Sequence, residues 1–130
     1  MEKARDIYSE LLLSRIIEFG FNSQKVVDIF FNLGNICRES KEYDLSILYF
    51  KSALKIALSI SRIELKELGL IECALAEVYY LKDPSVYASE AVELIRHNIT
   101  FLATGFPRKT ADKIYEFYHT ILKKHNKHLS

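Results

Sequence analysis

The chain holds no tryptophan and, in 130 residues, only two prolines, four glycines, two cysteines and one methionine. So little proline and glycine excludes a fibrous or low-complexity disordered chain. Cys37 and Cys73 lie far apart with no CxxC spacing, which indicates neither a zinc site nor a redox pair and leaves both as small apolar residues on helices. Long apolar runs are missing too: Leu11-Leu12-Leu13 is cut by Ser14, Arg15 and Glu18, far short of the ~20 residues that span a bilayer. The N-terminus, MEKARDIYSE, lacks the profile of a signal peptide, so the expectation is a soluble cytoplasmic protein with no membrane partner. No Gly-rich phosphate loop, HExxH or GxSxG occurs. His125 and His128 have i, i+3 spacing but lie among lysines at a terminus, and His97 reads as an ordinary residue on a helix. No catalytic residue, metal ligand or cofactor site is therefore expected, and an enzyme is not.

What is present suits one helix-rich domain. Apolar residues make up 49% and charged residues 27%, with eight tyrosines and eight phenylalanines supplying bulk for a core that needs no staples. The net charge of +1 is unevenly placed. Residues 1–106 carry 12 basic and 15 acidic side chains, whereas residues 107–130 carry six basic and two acidic. A basic tail can touch an anionic partner, but a solvated end helix has the same composition, so direct nucleic-acid binding is not expected.

The apolar residues recur with a helical period. Leu33, Ile36 and Cys37 fall at i, i+3, i+4, and Ile47, Phe50, Leu54 and Ala57 repeat the stripe, while no stretch alternates long enough for a strand. Breaks fall at Gly20-Phe21-Asn22-Ser23, at Ser40-Lys41, near Arg62 to Leu65, at Asp83-Pro84 and at Gly105-Phe106-Pro107. Ser23 suits an N-cap before Gln24, and Asp83 suits one with Pro84 at the first helical position. Six helices are predicted near 3–19, 24–39, 42–62, 66–81, 84–104 and 108–126. The break near residue 63 has neither glycine nor proline.

A shift of 42 residues brings Ala4 onto Ser46 and Ala88, Tyr8 onto Phe50 and Val92, Leu11 onto Ala53 and Ile95, and Leu33-Gly34 onto Leu75-Ala76. The breaks move with them, so the repeating unit is a hairpin of two helices. Gly34 is then no helix end. Although glycine costs about 0.5–1 kcal/mol in a helix interior, it is expected to lie where the helix of residues 42–62 crosses it near Ser46 and Phe50, with Ser40-Lys41 as the turn.

The stretch Asn32-Leu33-Gly34-Asn35, followed by Tyr43, Ser46, Phe50 and Ala53, resembles a tetratricopeptide repeat, with Phe30 at the usual tryptophan position. Leu75-Ala76, Tyr79, Ala88 and Val92 fit a second copy, in which Glu72 and Ile95 depart from the pattern; Ile114, Phe117 and Ile121 fit a third, partial one, where Tyr118 takes a small-residue site as in a terminal cap. The closing proline of each repeat is absent, and the period is 42 rather than the common ~34 residues, which is similar to the long-helix variety of kinesin light chains and Rap-type bacterial regulators. The resemblance implies an all-α, right-handed α-α superhelix (solenoid) of antiparallel hairpins: a half repeat over 1–22, repeats over 23–64 and 65–106, and a capping helix over 107–130.

It also implies a concave groove lined by the first helix of each hairpin and suited to a protein or peptide ligand. Asp28, Phe31, Asn35, Arg38 and Glu39 would face the groove, with Leu70, Cys73, Glu77, Tyr80 and Leu81 in the second copy and Asp112, Tyr115, His119 and Leu122 in the third. Asn35 is the leading contact, because an amide both donates to and accepts from a peptide backbone. Tetratricopeptide domains that grip a C-terminal carboxylate place a lysine one turn from such an asparagine. Phe31 stands at that lysine's place, so an apolar or aromatic segment suits this groove better than a buried carboxylate. The first helix is of the second type, without its hairpin partner, and its Ile7, Leu11 and Ile16 would be partly uncovered. Either earlier repeats precede it in a longer protein, or the half repeat forms a homodimer. A non-catalytic binding scaffold is the expected function; the alternative is the peptide-sensing or dimerisation part of a Rap-type transcription or signalling regulator.

Overall fold

Five helices make up most of the computed structural model, which describes residues 2–60, 64–98, 108–109, 112–116, 119–120 and 123. They are α1 (Glu2–Phe19), α2 (Gln24–Glu39), α3 (Tyr43–Ser59), α4 (Leu65–Lys82) and α5 (Pro84–Asn98). The later described positions are helical too, and no strand occurs among the described residues. The break at Gly105-Phe106-Pro107, Phe117, Tyr118, Ile121, Leu122 and the histidine pair 125 and 128 lie outside the described residues. The chain divides into two compact units, Met1–Glu64 and Leu65–Ser130.

In the first unit, α1 ends at Gly20, whose φ of 85° is left-handed and whose N–H donates to the Ile16 carbonyl at 2.9 Å. Ser23 then caps α2, its hydroxyl accepting from the Val26 N–H at 3.4 Å. The other end of α2 closes in a Schellman motif: the Glu42 N–H reaches the Cys37 carbonyl and the Lys41 N–H the Arg38 carbonyl. Lys41 takes the left-handed position, φ 62°, where glycine is usual. Ser40-Lys41 is thus the turn of the hairpin.

That turn sets α3 against α2, and the close approach falls at Gly34. A β-carbon placed on Gly34 would stand 2.6 Å from both Cδ1 and Cε1 of Phe50, nearer than real β-carbons come to any neighbour. The Ser46 hydroxyl, fully buried, donates to the Gly34 carbonyl at 2.7 Å. Around this crossing Val26, Ile29, Leu33 and Cys37 of α2 meet Phe50, Ala53, Ile56 and Ala57 of α3, all buried. The α3 stripe runs through Ser46, Phe50, Ala53 and Ala57, at i, i+4, i+7 and i+11; Leu54, expected in it, is only half-buried. Helix α3 also stops at Ser59, three residues short of the predicted end, because Ile60 turns to extended backbone. On its other side α2 packs against α1, where Arg5 pairs with Glu42 of the turn.

In the second unit Asp83 caps α5 ahead of Pro84. Its Oδ1 accepts from the Ser85 N–H at 3.2 Å, the Val86 N–H at 3.3 Å and the Ser85 hydroxyl at 2.7 Å. These donors, the Ser85 hydroxyl foremost, hold the Asp83 carboxyl below the usual range. Helices α4 and α5 then pair around Ala76, Tyr80, Ala91, Val92 and Ile95, with Leu94 and Ile114 packed against that cluster. Ala76 and Val92 stand here 42 residues after Gly34 and Phe50. Tyr79 stacks on Tyr87 at 5.0 Å between ring centroids, on the same hairpin.

Candidate functional site

Helix α2 packs one side on α3 and another on α1, and what remains reaches the surroundings. Asp28 is exposed and accepts from the Gln24 amide at 2.9 Å, and Asn35, seven residues on and therefore on the same face, is half-buried. Glu39 continues this face and is exposed; the half-buried Arg38 lies 3.6 Å from it, a loose surface pair worth little. Phe31 is placed differently. It stands three residues before Gly34, so its ring turns to the hairpin and meets Phe50 at 5.5 Å with the planes tilted by 53°.

The second unit divides the residues of α4 in the same manner. Cys73, Ala76 and Tyr80 recur at i, i+3 and i+7 on one stripe, and both Cys73 and Tyr80 are buried, with Tyr80 inside the core cluster. Glu77 is half-buried, and Leu81 is 41% exposed. Tyr115 is half-buried and His119 exposed. The nine residues marked from the sequence as groove-facing therefore comprise Asp28 and Asn35 on one face of α2, the half-buried Arg38 on the stripe of Phe31 and Gly34, packed side chains at Phe31, Cys73 and Tyr80, and Glu77, Tyr115 and His119 in the second unit. Burial drives the Cys73 thiol up to about 12, reinforced by Glu72, so it is neutral and unreactive near neutral pH. The Cys37 thiol is raised for the same reason, burial, although Arg5 pulls the other way.

Two surface cavities were not visible in the pattern of the sequence. One, of about 450 Å³, lies in the first unit among Phe21, Asn22, Phe30, Ser52, Lys55, Ile56 and Ser59. The other, about 430 Å³ and more open, lies on α4 and α5 among Leu75, Tyr79, Leu94, Ser89, Glu90 and Glu93. Their only advance signal is Phe21, an aromatic in a glycine turn. On α1, Ile7, Leu13 and Ile17 are 57%, 62% and 81% exposed, whereas Leu11 and Ile16 are half-buried. No helix among the described residues is long and apolar enough to cross a membrane. Compared with family models, curated proteins and solved structures, the chain matches none.

Proposed function

We propose that the chain is a non-catalytic protein- or peptide-binding scaffold of the tetratricopeptide kind, its hairpins stacked in a right-handed superhelix. The ligand would lie in the groove on the α2 face that carries Asp28 and Asn35. The observation that supports this reading most is the Gly34 crossing. A glycine that weakens its own helix is accounted for by the Phe50 ring pressed on it and the Ser46 hydroxyl bonded to its carbonyl, at the residues where the repeat pattern puts them. The α2 face that carries Asp28 and Asn35 presents a carboxylate and an amide, which together accept from and donate to an extended backbone.

Selection from a displayed peptide library, followed by titration of the winning peptides, tests the reading. Asn35→Ala and Asp28→Ala should each weaken binding about 3–10-fold, the worth of one polar contact of ~0.5–1.5 kcal/mol. Peptides that bind in a saturable manner yet ignore both substitutions contradict it.

A second reading, self-association as the dimerising part of a Rap-like regulator, is favoured by the exposed Leu13 and Ile17, one turn apart on α1. Light scattering at micromolar concentration should then report a dimer that Ile17→Asp converts to monomer. A wild-type monomer whose first helix stays ordered contradicts that reading.

A further inference from the structure

Ser52, Lys55, Ile56 and Ser59 follow one another at i, i+3, i+4 and i+7 on α3, and this stripe forms one wall of the cavity of about 450 Å³ in the first unit. Phe30 of α2 and the turn residues Phe21 and Asn22 form the rest. That volume lies toward the small end of the ~300–1,000 Å³ common for small-molecule sites. Its apolar lining is preset: Ile56 is buried, and the Phe30 ring is held against Tyr49 with centroids 6.0 Å apart. Phe21 is 55% exposed, an aromatic ring left in water at the mouth.

The polar groups at the rim do not all offer hydrogens. The Ser52 hydroxyl already donates to the Leu48 carbonyl at 2.9 Å and the Ser59 hydroxyl to the Ile56 carbonyl at 2.6 Å, so both turn lone pairs outward. Donors remain on the Asn22 amide and on Lys55, which is exposed and forms no ion pair with a carboxylate among the described residues. An apolar wall beside one unneutralised ammonium suits a ligand with an apolar body and a single negative end.

We propose that this cavity binds a small apolar monocarboxylate, its hydrocarbon or aryl body against Phe21, Phe30 and Ile56 and its carboxylate on Lys55. The site is independent of the peptide face on α2.

Phenylpropionate, its neutral amide and phenylpropylammonium share one shape and differ in charge, so NMR titration of the full chain with each is the test. Phenylpropionate should saturate and shift the amides of Phe21, Asn22 and Ser59, with the neutral amide about fivefold weaker or more and the ammonium weaker still. Lys55→Gln should bring the acid down to the affinity of the amide, Lys55→Arg should keep the preference, and Phe21→Ala should weaken acid and amide together. Lys55 and Phe21 are exposed, so these variants keep the fold. Equal affinity for acid and amide in the wild type, indifference to Lys55→Gln, shifts confined to other residues, or no saturable binding would each overturn the proposal.

Discussion

A methyl group at Gly34 would have to displace the ring of Phe50, which is fully buried and closed in on its other sides by the core. In an open helix, alanine for glycine gains about 1 kcal/mol; here overpacking of about 1–3 kcal/mol opposes that gain. Gly34→Ala is therefore expected to leave the protein no more stable than wild type, and Gly34→Leu to cost about 1–3 kcal/mol or more. Urea titration reads both, and a stabilised Gly34→Ala would show that the ring does not press there. Lys41 offers the opposite case. It holds a left-handed backbone that costs a side-chain-bearing residue roughly 1–2 kcal/mol, so Lys41→Gly should raise the unfolding free energy by up to about 1 kcal/mol once the added freedom of the unfolded chain is counted. At this scale the sequence was legible for Gly34, because a helix-weakening residue inside an apolar stripe demands a neighbour. Lys41 carried no such mark: nothing in a lysine announces positive φ.

Helix boundaries were readable wherever a side chain caps the chain. Helix α2 runs over the span that Ser23 and the Ser40-Lys41 turn delimit, and α5 begins where Asp83 and Pro84 require. Helix α3 stopped early because its end is set by the backbone of Ile60, which no cap residue signals. Which side chains face outward was less legible. Phe31 and Cys73, expected outward, stand three residues before Gly34 and Ala76 and pack inward with them, as does Tyr80 one turn after Ala76, because side-chain direction follows the 3.6-residue period.

The cap at Asp83 also yields a pH prediction. Its carboxyl is held below the usual range in the folded protein, so its stabilising contribution is fully present above the unfolded value of ~3.9 and is lost as pH falls through the lower folded value. Asp83→Asn keeps a capping oxygen without the charge. It should lose less stability than wild type on acidification through that window, as followed by helical circular dichroism during thermal unfolding; an identical pH profile for the two proteins would contradict the role of the cap.

For the molecule as a whole, the recurrence that matters is physical rather than literal. In the first unit the hairpin closes over Gly34 with Phe50 on the partner helix; in the second, Ala76 and Val92, 42 residues further on, share one buried cluster. From the first pair to the second the small residue gains one carbon and the large one loses four, so the two positions change size in opposite directions without conserving their summed volume. The same packing fixes which side of α2 remains outward, and the functional account rests on that side. Its most direct test is amide hydrogen exchange of the wild-type protein with and without a selected peptide. The account predicts new protection over α2, centred between Asp28 and Arg38, with α3 unchanged; protection confined to α3, with α2 exchanging as in the free protein, would contradict it.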